Sequence, residues 1–261
     1  MTKLIEECGM VLIENLDVDV DKGSCVVIDA MSFVNKITPK PTWIETGDDL
    51  AIEFLRRIDE CSENAHTVAT ALDTYRKVSL KYTTRDGCTT KKGNQKKAPR
   101  TFKIVGVTNI KKVSMSEILT TNETKRSLAG FLMEKSIVHL QKRNVRYVVA
   151  GNDNTYFSYQ YPISNNHEEA DTLMINTLCI LQPMNSCVVV YSVDTDVFVL
   201  LLRHHDKIGC DTLYMNLFGG FVNMTAILKS VGQMVCRALL SLHALTGCDT
   251  TGRFCGIGKG T

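Results

Sequence analysis

The chain has 261 residues, 44% hydrophobic and 22% charged, with a formal net charge of +2. That balance fits a soluble globular protein of one large domain or two small ones. No apolar run approaches the ~20 residues that span a bilayer, and the opening MTKLIEECGM carries acids where a signal peptide is basic, so neither a membrane protein nor a secreted one is expected.

In chain order, Ser24 to Ala30 (SCVVIDA) reads as an apolar strand that ends in an acid, Asp29. Thr38 to Gly47 holds two prolines and the only tryptophan, and reads as a loop. Asp48 to Cys61 has helical spacing, with Leu50, Phe54, Leu55 and Ile58 on one face. Val68 to Leu72 is a second strand, followed by Asp73. Asn122 is placed to cap a helix that runs to about Gln141, with Leu128, Phe131, Leu132 and Val138 inward. Val145 to Ala150 is a third strand, and Gly151 to Asn166, rich in Asn and Tyr, a loop.

The next stretch, from His167 to Asp196, is the one to which the chemistry points. Asn166 is a candidate N-cap, Glu168 and Glu169 fall in a first helical turn, and Ala170, Leu173, Met174, Leu178 and Leu181 follow at helical spacing. Pro183 and Asn185 end this helix. Cys187 to Tyr191 is a continuous apolar, β-branched run, the pattern of a strand buried on both faces. Asp194 and Asp196 lie just past it, and Val197 to Leu202 reads as a short helix. Leu213 to Leu217 and Phe221 to Met224 flank Gly219-Gly220 as a hairpin. Ala226 to Leu245 is mostly helical, stopped by Gly247, with Asp249 beyond.

Strands alternating with helices predict an α/β fold, with a mainly parallel central sheet and helices on both faces. In such a sheet Asp29, Asp73, Asp194 and Asp196 share one edge, the carboxyl ends of the strands, where ligands of open α/β folds bind. Each acid also has an ordinary use. Acids early in a helix complement its dipole, and Asp-x-Asp after a strand is a common turn. Carboxylates converging from several elements nevertheless repel unless protonated or bridged by a cation. An oxygen-rich site suits Mg²⁺ or Mn²⁺, and its usual chemistry is two-metal phosphodiester hydrolysis.

Charge is unevenly distributed. Residues 74–112 hold twelve Lys or Arg and one acid, Asp86, a local +11 that leaves −9 on the remainder. A basic segment beside an acidic remainder suits an anionic polymer. The alternative is a solvated basic loop, to which KKGNQKKAPR (91–100) conforms equally well. The ten cysteines form no Cys-x-x-Cys pair, and read as reduced core residues of an intracellular protein. His204-His205 reads as surface, and His167 as making a cap contact.

With these residues in hand, the chain resembles the PIN-like, flap-endonuclease-type (XPG-like) 5′ nucleases. The carrying strings are VVIDAMSFVNK (26–36), LDTYRKVSLK (72–81), Glu169-Ala170-Asp171, Asp194-Thr195-Asp196, Gly247-Cys248-Asp249 and Gly256-Ile257-Gly258-Lys259. They span nearly the whole chain in the family's order. HEEADT, DTDV and ALTGCDTT are also similar to asteroid-like, mobile-element-associated animal reading frames, whose members are not uniformly catalysts. Three features depart from the family pattern. Thr74 stands where the family has Gly, Glu168 and Glu169 offer two registers, and the sequence stops at Thr261 inside the expected helix-two-turn-helix.

The resemblance implies one PIN-like nuclease domain over 1–261, with a basic insertion at about 76–112 and a truncated helix-two-turn-helix at its end. It implies two Mg²⁺ (or Mn²⁺) ions held by Asp29, Asp73, Glu169, Asp171, Asp194, Asp196 and Asp249. Lys81 and Arg85 would be the catalytic cations beside the phosphate. Arg76, Lys77, Lys91, Lys92, Lys96, Lys97, Arg100 and Lys259 would contact nucleic acid. The expected activity is structure-selective, metal-dependent cleavage of nucleic acid. The alternative is a degenerate PIN-like module that binds nucleic acid without cutting. DNA is expected over RNA, acted on by a monomer in the nucleus, with no membrane partner and no small-molecule organic cofactor.

Overall fold

The computed structural model describes residue 13 and residues 24–75, 99–181, 187–217 and 219–246. Strands β1 (Ser24–Asp29), β2 (Thr67–Ala71), β3 (Arg146–Gly151), β4 (Asn154–Phe157), β5 (Ile163–Ser164), β6 (Cys187–Tyr191), β7 (Thr212–Leu217) and β8 (Gly220–Asn223) form an eight-stranded sheet in the order β5-β4-β3-β2-β1-β6-β7-β8. The central run from β3 to β7 is parallel, and β4, β5 and β8 are antiparallel at the two edges. The fold is therefore α/β with a mainly parallel sheet.

Both faces of the central strands are apolar, as the unbroken hydrophobic runs require. Along β1, Cys25 and Val27 join one core while Val26 and Ile28 join the other. In β6, Val188 and Val190 face the first core and Val189 the second. The second core is closed by α1 (Ala30–Asn35), α2 (Gly47–Ser62), α3 (Met115–Ile118) and α4 (Asn122–Lys142). The first is closed by α5 (Ala170–Leu181), α6 (Thr195–Ile208), α7 (Met224–Val231) and α8 (Gln233–Thr246). No helix among the described residues is long and apolar enough to cross a membrane.

Local chemistry fixes the element boundaries. Helix α2 opens with a capping box, in which Thr46 and Asp49 each satisfy the other's backbone N–H. Helix α4 is capped by Thr121, one residue before the expected Asn122. The predicted helix over Ala226 to Leu245 is two helices, because Gly232 at φ 81° turns the chain between α7 and α8. The predicted short helix after Asp196 extends to Ile208, where Gly209 in the left-handed region ends it.

Gly151 to Asn166 is not a plain loop, since it carries β4 and β5. Asn152 and Asp153 both adopt positive φ, which makes the tight turn between β3 and β4. The buried positions Thr155 and Phe157 alternate with the less buried Asn154 and Tyr156.

Two features of the topology set the site. All parallel strands present their carboxyl ends at one edge. At β1 the strand order reverses, because the chain travels outward through β2 and β3 and returns to β6 on the other side of β1. The crevice beyond β1 and β6 is thus the topological switch point, where open α/β sheets place their ligands.

Candidate metal centre at the switch point

Asp29 ends β1 and is the N-cap of α1. Its Oδ1 accepts from the Ser32 N–H at 3.1 Å. In the β1–β6 register Ile28 lies beside Tyr191, so the next residue of the chain after β6, Ser192, comes level with Asp29. The Ser192 hydroxyl donates to Asp29 Oδ2 at 3.3 Å and accepts from the Asp194 N–H at 3.2 Å. Ser192, only 2% exposed, therefore ties the ends of the two switch-point strands together.

Asp194 is the N-cap of α6, with its Oδ1 accepting from the Asp196 N–H at 2.8 Å. Asp196 sits in the first turn of that helix. Asp73 lies two residues past β2, and its Oδ1 accepts from the Ala170 N–H at 2.9 Å, at the start of α5. Its Oδ2 accepts from the Tyr75 hydroxyl at 3.2 Å. The Thr74 N–H donates to the Glu168 carbonyl at 2.8 Å, which pins the exit of β2 against the approach to α5.

Helix α5 begins at Ala170, four residues beyond Asn166, so Glu168 and Glu169 precede it and Asp171 is the acid of its first turn. Asn166 is not its N-cap; the carboxylate of Asp73 takes up the first N–H instead.

Asp171, Asp194 and Asp196 converge. Each offers a carboxylate oxygen, and these oxygens all lie within 4.8 Å of one another. Burial, then the charges of Asp194, Asp29, Asp73 and Glu169, push the Asp171 carboxyl up to about 8. Burial also lifts Asp29 to about 6, against the Ser32 N–H that favours its charged form, and the carboxylates of Asp73 and Asp194 add to the rise. These acids thus repel one another across the mouth of the switch point. A group of carboxyls at this spacing reaches neutrality by holding protons or by sharing a cation. Its donors are all oxygen, the set that suits Mg²⁺ or Mn²⁺.

Of the acids expected at the metal centre, Asp29, Asp73, Glu169, Asp171, Asp194 and Asp196 thus gather at one edge of the sheet. Asp249 lies outside the described residues, as do Lys81, Arg85, Arg76, Lys77, Lys91, Lys92, Lys96, Lys97 and Lys259, and the expected helix-two-turn-helix. Arg100 is described and exposed. The thiols of Cys25, Cys210 and Cys236 are buried, as expected of core cysteines. His167 contacts the Thr172 hydroxyl at 3.1 Å, and His205 is half-buried against the Thr225 hydroxyl at 2.9 Å rather than on the surface.

Two contributors escaped sequence reasoning. Ser192 carries no motif, and only the β1–β6 register brings it beside Asp29. His243, on α8, places Nε2 2.7 Å from Asp196 Oδ1. Its position in a helical run gave no hint of this contact, which depends on α8 packing against α6.

No protein-family model matches the chain, and a search of curated proteins finds no match. Among solved structures, the chain is similar to the catalytic core of Rad2 in complex with DNA substrate, with a TM-score of 0.47 and 16% identity. The similarity covers 95% of this chain, which spans 62% of the length of that one.

Proposed function

We propose that the chain is a metal-dependent phosphodiesterase that cleaves nucleic acid, built as one PIN-like domain over 1–261. The observation that carries the proposal is the convergence of Asp171, Asp194 and Asp196 within 4.8 Å at the switch point of the sheet. Asp29, Asp73 and Glu169 extend the cluster, and their charges are felt at Asp171. A cation there offsets the burial and the carboxylate repulsion that together push the Asp171 carboxyl up to about 8.

In this reading Asp171, Asp194 and Asp196 hold one Mg²⁺ or Mn²⁺. Asp29, Asp73 and Glu169 would serve a second, and Asp249 would join Asp171, Asp194 and Asp196 at the first. When bound, such ions lower the pKa of water and stabilise charge that develops on a phosphate. The chain's own residues orient the acids. Ser192 fixes Asp29 relative to Asp194, and the Ala170 N–H fixes Asp73. Lys81 and Arg85, which follow β2, would supply further positive charge at the phosphate. Residues 76–112 would hold the polyanion, with DNA as the preferred substrate in the nucleus and a monomer as the acting species.

A second reading is favoured by one specific observation. Asp29 and Asp194 cap helices, and Asp73 accepts the first N–H of α5. Those roles alone would keep the acids in a module that binds nucleic acid without cutting it, of the kind mobile-element-derived domains provide. A cleavage assay separates the two. The full chain is incubated with flap, single-stranded and duplex DNA, and with the matching RNAs, in Mg²⁺, Mn²⁺ or chelator. Cation-dependent products support the nuclease, whereas tight binding with no product under any condition supports the module.

A further inference from the structure

His243 stands outside the acidic cluster yet touches it. It lies on α8, which packs against α6, the helix that carries Asp196. Its side chain is 13% exposed and that of Asp196 27%, so the contact is shielded from solvent. Nε2 lies 2.7 Å from Asp196 Oδ1, a charge-assisted distance that requires the proton on Nε2, because a carboxylate only accepts. The Thr195 hydroxyl approaches the same Oδ1 at 3.5 Å. Among the described residues, the hydrogen bonds of this carboxylate fall on Oδ1, which leaves Oδ2 to offer a cation.

We propose that His243 is the positioning residue for Asp196, holding the carboxylate by its Oδ1 so that Oδ2 is presented to the cation shared with Asp171 and Asp194. The inference rests on the metal-site reading above. Two consequences follow from the geometry. The cluster is assembled from both sides, with α5 and the start of α6 supplying the acids and α8 supplying the clamp. Cation affinity then depends on how α8 is docked, although α8 contributes no carboxylate from its described residues. Partners of this kind, one bond removed from a ligand, change metal affinity by about 10–100-fold when they are removed.

The test is a Mn²⁺ titration of the full chain, read by the fall of the free-ion electron paramagnetic resonance signal. Parent, His243→Ala, His243→Leu and His243→Gln are compared, and each variant is melted in chelator to establish that it is folded. Gln places an amide N–H near the position of Nε2, whereas Leu fills the space without a donor. The expected result is an affinity about tenfold weaker for Ala and Leu, with Gln within about threefold of the parent. Equal affinity in parent, Ala and Leu would overturn the inference and leave the metal site standing. So would a Gln variant that is folded but as weak as Leu, because packing rather than the hydrogen bond would then be at work. A parent that takes up no Mn²⁺ at millimolar concentration would overturn the metal-site reading itself, and this inference with it.

Discussion

The Asp73 carboxylate accepts a hydrogen bond from the Ala170 N–H at 2.9 Å, joining residues 97 positions apart. A helix leaves its first N–H groups without internal partners, and here one is satisfied from the end of a strand. The start of α5, and hence the placing of Asp171, is thereby fixed by the exit of β2. Asp73→Ala should loosen this start, cost about 1 kcal/mol of stability and weaken cation binding. Asp73→Asn keeps an acceptor oxygen and should retain most of the stability while still losing a charge. Chemical denaturation of both variants, with and without Mn²⁺, checks this. Equal stability of the Ala variant and the parent would mean that the bond does not hold the helix.

Much of this arrangement is legible in the sequence, because it depends on local pattern. The run Cys187 to Tyr191 is apolar and β-branched throughout, and β6 has those bounds. Asp29, Asp73, Asp194 and Asp196 follow apolar runs, and a parallel sheet must bring the ends of such runs to one edge. What escaped depends on distant partners. Asn166 has the side chain of a cap for α5, but the acceptor comes from Asp73. Ser192 and His243 acquire their roles only through strand register and helix packing. The turn at Asn152-Asp153 was readable, since that pair favours positive φ, but the Asn- and Tyr-rich surroundings masked the alternation in β4.

The raised carboxyls set a pH dependence whose sign is opposite to that of a salt-bridged acid. Asp171 is pushed up to about 8 and Asp29 to about 6, so the folded chain holds these protons more tightly than the unfolded chain does. Their contribution to stability is complete only below the unfolded carboxylate range of about 4, and declines as pH rises through 6 and then 8. In chelator the melting temperature should therefore fall between pH 5 and pH 8.5. Asp171→Asn should remove the upper part of that fall and raise stability at pH 8. Millimolar Mg²⁺ should flatten the parent's profile, because a cation bound to the folded state replaces the protons. Identical profiles for parent and Asp171→Asn would show that Asp171 does not carry the dependence.

A scaffold variant provides the contrast. Far from the acids in sequence, Arg143 donates to Asp59 Oδ1 at 2.8 Å, to the Ser62 hydroxyl at 2.9 Å and to the Ser62 carbonyl at 2.8 Å, which joins the end of α4 to α2. Arg143→Ala should cost roughly 1–3 kcal/mol, since it breaks charge-assisted bonds and leaves their partners less satisfied. Mn²⁺ affinity should stay within about twofold of the parent, as a destabilised but intact fold keeps its site. A large drop in affinity would indicate that α4 and α2 support the acid cluster more directly than their hydrogen bonds show.

The basic segment is tested by separating affinity from turnover. Replacing Lys91, Lys92, Lys96, Lys97 and Arg100 with Ser should weaken DNA binding broadly and flatten its salt dependence, by about 0.9 in log–log slope for each phosphate that is no longer neutralised. Turnover at saturation should change little, because uniform binding acts on KM. Lys81→Ala should do the reverse, with a large fall in turnover and a small one in affinity. An unchanged salt slope in the five-residue variant would make the stretch a solvated loop.

The most direct measurement is the single-turnover cleavage rate of one DNA flap substrate as a function of Mg²⁺ concentration, for the parent, Asp171→Asn and Asp194→Asn. Asn is the informative replacement at Asp194, because it preserves the N-cap of α6 that Ala would remove at a cost of about 1 kcal/mol. The rate should rise with Mg²⁺ and saturate in the parent, be abolished by chelator, and drop at least a hundredfold in both folded variants. Cleavage that survives chelator, or that is equal in the parent and Asp194→Asn, would contradict the assignment of this acid cluster as the seat of the chemistry.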